Sequence, residues 1–144
     1  MIILIMGLPG SGKTTLAKHL VDACAVNLYM VTWLNADRIR TELNDWDFSV
    51  EGRTRQAMRV RERADNAETD LVIIDMVAAL PEQRTIIDPY FTVYMDTVQG
   101  SVYEDTNQMF VPPEKPNMVI TSKNAAVYAD IIMQRIKLMM PPRR

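Results

Sequence analysis

Two chemically versatile residue types are almost missing from this chain. Cys24 and His19 are its only cysteine and histidine, which excludes an internal disulfide, a thiolate metal cluster and a histidine-based metal site. The lone thiol fits a reducing cytosol and reads as buried filler, and His19 reads as ordinary helix surface. Long apolar runs are absent as well. The start from Ile2 to Met6 has no basic leader and is far shorter than a signal-peptide core or a membrane span. No later segment comes closer, so a soluble, cytoplasmic protein with no membrane contact is expected. An excess of positive charge is also lacking: the formal net charge is −2, so nothing global recruits long nucleic acid or an anionic membrane. Any recognition of a polyanion must be local. There is no internal repeat and no low-complexity linker, and 144 residues make one domain spanning 1–144, long enough for a real core and too short for two. Eleven methionines are accounted for by adaptable packing.

What the chain does contain is Gly7-Leu8-Pro9-Gly10-Ser11-Gly12-Lys13-Thr14, placed between an apolar run and a helical pattern. Every fixed position of the phosphate-loop template is filled. Glycines let the backbone bend and approach a ligand, so that successive N–H groups point at phosphate oxygens. Lys13 adds a mobile cation, and the helix that begins near it turns its positive end to the same anion. The Thr14 hydroxyl is suitably placed for a phosphate-bound magnesium ion. The eight loop residues and Thr15 after them are the expected ATP-binding stretch, with ATP and Mg2+ as cofactors.

Helical periodicity runs from Lys13 to about Cys24, with Leu16, Leu20 and Ala23 on one face. Leu28 to Leu34 reads as a buried strand ending at Asn35, followed by a short helix from about Asp37 to Leu43. Ser49 and Gly52 mark the start of a long, Arg-rich helix that continues to Ala67. Leu71-Val72-Ile73-Ile74 reads as a strand covered on both faces. Pro81 opens another helix, Phe91 to Met95 is a fourth strand and Met118 to Ile120 a fifth. Asn124 to Met139 is a closing helix, and residues 141–144 read as a frayed tail. Strands alternating with helices at these lengths predict an α/β, P-loop NTPase-type three-layer fold with a five-stranded parallel sheet flanked by helices. Ligands then lie beyond the carboxyl ends of the strands.

That rule directs attention to Asn35-Ala36-Asp37-Arg38-Ile39-Arg40. One helical turn brings Asp37 and Arg40 toward the same cleft, where a carboxylate can take a proton from an acceptor hydroxyl and an arginine can hold an anionic acceptor. The bland alternative is a helix-capping Asp37 and a solvated Arg40. Asp75, at the end of the third strand, has the form of an acid that holds magnesium through water, or of a plain polar strand terminus. Arg55, Arg59 and Arg63 share a face of the long helix, the pattern of a solvated surface paired with Glu51 and Glu62. Arg53, nearest the cleft end, is the arginine to single out for an anion. Trp33 and Trp46 suit core and rim packing.

These pieces together resemble the adenylylsulfate kinases, which phosphorylate the 3′-hydroxyl of adenosine 5′-phosphosulfate. That family carries Leu-Asp-Gly-Asp-Asn-x-Arg, Leu-Asn, Phe-Ser and Glu-Asp-Arg where this chain has Leu34-Asn35-Ala36-Asp37-Arg38-Ile39-Arg40, Leu43-Asn44, Phe48-Ser49 and Glu51-Gly52-Arg53. Tyr94-Met95-Asp96-Thr97 resembles its Val-Asp-Thr, and Val111-Pro112-Pro113-Glu114-Lys115-Pro116 its Pro-Pro-Glu-x-Pro. The resemblance implies Lys13 on the transferred phosphate, Asp37 as the hydroxyl-activating carboxylate, and Arg40 and Arg53 on the acceptor's anionic end. Phe48 would stack on adenine, Gln56 would stand where the family has an acceptor-binding asparagine, and Thr14 and Asp75 would serve the metal. A small nucleotide is the implied partner, and a homodimer is left open.

The chain also departs from the family pattern. Asn35 replaces the first acid of Asp-Gly-Asp, so a magnesium-side carboxylate is gone unless Asp75 replaces it. Met76 to Pro81 has no serine in the family's Ser-Pro place, and residues 98–110 form an abbreviated lid without the basic stretch. Two other readings stay open: a polynucleotide or nucleoside hydroxyl kinase, which Asn35-x-Asp37-x-x-Arg40 and Pro81-Glu82-Gln83-Arg84 also resemble, and a nucleotide-binding module that has lost turnover. A short lid excludes water poorly, which predicts slow transfer and wasteful hydrolysis. ATP hydrolysis measured with and without adenylylsulfate is expected to be appreciable in both cases, and negligible hydrolysis without acceptor would count against the expectation.

Overall fold

A computed structural model describes Met1–Pro141; of the tail expected to fray, residues 142–144 lie outside the described residues. Five strands, β1 (Ile2–Met6), β2 (Val31–Asn35), β3 (Leu71–Asp75), β4 (Phe91–Met95) and β5 (Met118–Ile120), form one sheet in the order β2-β3-β1-β4-β5. Every pairing is parallel. The connections carry α1 (Lys13–Val26), α2 (Ala36–Leu43), α3 (Val50–Asn66), α4 (Pro81–Ile87) and α5 (Glu104–Met109), and α6 (Ala125–Met139) closes the chain. The fold is the expected three-layer α/β arrangement.

Successive side chains of a strand point to opposite faces, and the core divides accordingly. Ile3 and Ile5 of β1 join Ile73, Leu16, Leu20, Ile132 and Ile136 under α1 and α6. Leu4 and Met6 join Ile74, Ile39, Val60 and Ile87 on the opposite face. Both faces of β1 and β3 are therefore covered, which is why these strands read as unbroken apolar runs rather than alternating ones.

Local differences from the expected boundaries have local causes. The first helix runs past Cys24 to Val26, and β2 begins only at Val31. Leu28 takes φ 67, while Tyr29 N–H donates to Cys24 O at 3.0 Å and Leu28 N–H to Ala25 O at 3.1 Å. This two-bond closure of a helix usually uses glycine, so leucine concealed it. The buried stripe of α1 is completed by Cys24, fully buried as filler, while Ala23 packs at its rim. Ser49 caps α3 by accepting from Gly52 N–H at 3.1 Å. The arginine face of α3 pairs differently from expectation: Arg55 meets Asp45 and Asp47, Arg59 meets Asp45 and Arg63 meets Glu42. Residues across a turn lie nearer to these arginines than Glu51 and Glu62 do. Among the described residues, no helix is long and apolar enough to cross a membrane.

Gly52 sits where the 45–49 turn crosses the helix start. A Cβ there would lie 2.2 Å from Asp47 O and 2.5 Å from its Cγ. Gly52→Ala is therefore expected to destabilise the fold by about 1–3 kcal/mol through backbone displacement, read as a lowered midpoint in urea unfolding.

Candidate active site

The site is built at the carboxyl end of the central strand. The chain leaves β1 at Gly7, where a Cβ would meet Met95 O at 2.6 Å, and enters α1 through Gly12 at φ 98, ψ 16. Only glycine adopts that backbone without strain. The first turn of α1 carries no acidic residue, so its N–H groups, which have no intrahelical acceptor, face no competing carboxylate. Side chains occupy the carbonyls of the loop: Lys13 Nζ donates to Leu8 O at 3.0 Å, Lys123 Nζ to Gly10 O at 2.8 Å and Thr97 Oγ1 to Ser11 O at 2.6 Å.

Beside the loop, strand register brings two further residues together. Asn35 and Asp75 are partners across β2 and β3, and Asn35 Nδ2 donates to Asp75 Oδ2 at 2.7 Å. The Thr14 hydroxyl donates to the same oxygen at 2.9 Å. Asn35 also caps α2, its Oδ1 accepting from Arg38 N–H at 2.9 Å. The Asn35 side chain thus serves two purposes, holding the Asp75 carboxylate with its amide N–H and capping α2 with its oxygen.

Burial dominates the titration of both charged groups. Lys13 is 9% exposed, and its ammonium is pushed below the usual lysine range by desolvation, against the pull of Asp75 and Asp37. The Asp75 carboxyl is raised by burial, with hydrogen bonds from Asn35 and Thr14 and the Lys13 charge acting the other way, and Asp37 raising it further.

These groups open on a cleft of about 1410 Å³ whose walls also include Asp37, Trp46, Phe48, Arg53 and Tyr103. Asp37 is exposed on that wall, so the bland capping role belongs to Asn35 instead. Arg53 is 4% exposed; its Nε donates to Phe48 O at 2.9 Å and its Nη2 to Thr106 Oγ1 of α5 at 2.8 Å. Its guanidinium lies 5.3 Å from the Phe48 ring, and desolvation lowers its pKa against the pull of Asp105.

Two residues carried over from the resemblance stand elsewhere. Arg40 is outside the cleft walls: its Nη1 donates to Asp45 O and Asp47 O at 3.0 and 3.2 Å, and its charge sits 4.5 Å over Phe48. Gln56 is fully buried, donating to Ala36 O at 2.9 Å and accepting from Arg59 at 2.8 Å. Its amide fastens α2 to α3 and does not reach the cleft. Sequence reasoning missed Tyr103, Glu104, Asp105 and Lys123 as cleft residues. Lys123 could have been found by extending the rule about strand ends to β5. Nothing in the composition of residues 98–110 announced that α5 would present two acids.

The family model described as adenylylsulphate kinase matches residues 1–111. This chain belongs to the adenylylsulphate kinase family. Among solved structures it is similar to the APS kinase CysC of Mycobacterium tuberculosis in complex with AMPPNP and APS, at TM-score 0.80 and 19% identity over 94% of this chain and 96% of that one. It is also similar to APE1195, at TM-score 0.79 and 22% identity over 97% and 96%. Shikimate kinase from Acinetobacter baumannii in complex with shikimate follows at TM-score 0.62 and 20% identity over 97% and 94%. At these identities the structures establish the fold alone. No curated protein matches. The family and the fold make this chain an ATP-dependent kinase.

Burial of Lys13 has a stability consequence with a definite sign. A lysine whose folded pKa lies below its unfolded value costs stability wherever it is charged in both states, and the cost is relieved as pH rises through the lowered folded pKa. Lys13→Met is expected to abolish phosphoryl transfer by at least about a hundredfold while melting at or above the parent's temperature at neutral pH. That advantage should shrink toward alkaline pH in thermal melts between pH 7 and 10.

Proposed function

We propose that this kinase transfers the γ-phosphoryl group of ATP to a hydroxyl of a small nucleotide acceptor, and that the acceptor is the 3′-hydroxyl of adenosine 5′-phosphosulfate, a step of sulfate assimilation. The observation that carries the reading is that Asp37, some two dozen residues beyond the loop, opens on the same cleft as Lys13, beside Arg53 and the aromatic rings of Trp46, Phe48 and Tyr103. A base stacks on such rings whatever its identity. Asp37 would take the proton from the attacking hydroxyl, Lys13 would hold the transferred phosphate, and Arg53 would face the acceptor's charge. Arg40 would act through Phe48, whose ring it overlies, rather than by touching the acceptor.

The donor set suits magnesium. Thr14 Oγ1 and Asp75 Oδ2 are hard oxygens 2.9 Å apart at the end of the loop, as needed by an ion that keeps several waters and takes its other ligands from phosphates. Among the described residues no group of three or more His, Cys, Asp and Glu could hold a metal by itself, in keeping with an ion that arrives with the nucleotide. Bound there, it would offset negative charge on the phosphates.

A second reading, a nucleoside hydroxyl without an anionic tail, is favoured by Glu104 and Asp105, which face the cleft, and by the commitment of both arginines to carbonyl and hydroxyl oxygens. The same two acids disfavour a long nucleic acid.

Incubation with labelled ATP, magnesium and a panel of adenylylsulfate, nucleosides and 5′-hydroxyl oligonucleotides separates these readings. Label on adenylylsulfate is expected; label on a nucleoside alone would select the second reading. No label despite ATP binding would leave a nucleotide-binding module without turnover. Asp37→Asn is expected to lower kcat by about 10²–10⁴-fold with little change in the KM for ATP.

A further inference from the structure

Lys123 lies beyond the residues matched to the family model and plays no part in the chemistry described so far. Its position is well fixed. Asp96 N–H donates to Ile120 O at 2.8 Å, carrying the end of β5 to the loop side of β4. Ser122 Oγ and Tyr128 Oη, 2.7 Å apart, brace the following turn against α6. From that turn Lys123 reaches the phosphate loop. Its Cγ lies 3.9 Å from where a Cβ on Gly12 would stand, and its Nζ donates to Gly10 O at 2.8 Å.

The charges lining the cleft show why this matters. Acids are contributed by Asp37, Asp75, Glu104 and Asp105, and cations by Lys13, Arg53 and Lys123. Arg53 is occupied at the acceptor end by Phe48 O and Thr106 Oγ1. The short lid, residues 98–110, contains no lysine or arginine. A triphosphate therefore meets two ammonium groups on the donor side, Lys13 and Lys123. Both rest on carbonyls of the same loop, Leu8 O and Gly10 O. Lys123 is exposed, and among the described residues it is in no salt bridge. A neutral carbonyl is a weaker partner for an ammonium than a phosphate oxygen, so an arriving anion can take the contact over.

We infer that Lys123 is a donor-site residue: its ammonium holds the crown of the phosphate loop in shape and supplies, beside Lys13, the second positive charge on the phosphate chain of ATP. The inference rests on the ATP-dependent half of the functional reading and is independent of the acceptor.

Calorimetric binding of a non-hydrolysable ATP analogue and of AMP, both with magnesium, tests it on the intact protein. Lys123→Met keeps the apolar stem and removes the charge, Lys123→Arg keeps the charge, and Lys13→Met is the reference. Lys123→Met is expected to weaken the analogue about tenfold and AMP much less, with Lys123→Arg within about threefold of the parent. Unchanged analogue binding by Lys123→Met, with Lys13→Met weakened, would overturn the role of Lys123 alone. Equal losses for AMP and the analogue would overturn it too, since the contact would then not be to the added phosphates. Full affinity in Lys13→Met would overturn the donor site itself and this inference with it.

Discussion

The arrangement depends on one buried ammonium. Lys13 is enclosed at the point where the central strand passes into α1, and burial of a charge is costly unless the surroundings compensate. Here the compensation is partial and comes from three directions: the Leu8 carbonyl of its own loop, Asp75 from β3 and, farther off, Asp37 from α2. Asp75 is buried in turn, held by donors from Thr14 and Asn35, with the Lys13 charge also favouring its ionised form. A pocket with one desolvated cation and one desolvated acid has a standing demand for compensating charge, which the phosphates of ATP bring to Lys13. Stability given up for that readiness is the usual cost of a functional site.

How the demand is met follows from the sheet. Because β1 lies between β3 and β4, the loop leaving it has Asp75 on one flank and Thr97, just past β4, on the other. Parallel pairing in register sets Asn35 directly beside Asp75. Residues separated by dozens of positions thus meet without any being placed by its own local sequence. Parallel strands deliver all their carboxyl ends to one edge of the sheet, and the site collects there.

That geometry explains what the sequence disclosed and what it withheld. The strands and long helices were legible because apolar periodicity reports burial directly, and the phosphate loop because its glycines answer a backbone requirement that other residues meet only with strain. The roles of Arg40 and Gln56 were not legible. A motif position does not say which carbonyls compete for a side chain, and in this chain Asp45 O, Asp47 O and Ala36 O took those donors. Asn35 read as the loss of an acid, yet its amide fixes that acid's neighbour. The start of β2 was hidden by a leucine in a left-handed conformation that favours glycine. Lys123 was hidden because only the fold, not any spacing, brings it to Gly10.

The two walls of the cleft are fastened by different contacts. Thr106 of α5 is fastened to the buried Arg53, which also grips Phe48 O. Below it, Phe110 stacks on Tyr94 at 6.0 Å, Val111 N–H donates to Ala79 O at 2.8 Å, and Arg84 ties Ala78, Ala79 and Val111 through their carbonyls. Residues 98–110 are therefore joined to the wall formed by Arg53 and Phe48 by contacts that need no ligand. The phosphate loop on the other wall is held by its own backbone, by two lysines and a threonine on its carbonyls, and by the Thr14 hydroxyl on Asp75. On the proposed reading, an arriving nucleotide would exchange these lysine contacts from carbonyl to phosphate. The proposed acceptor would meet a surface already assembled, bearing the carboxylates of Asp37, Glu104 and Asp105 and the rings of Trp46, Phe48 and Tyr103.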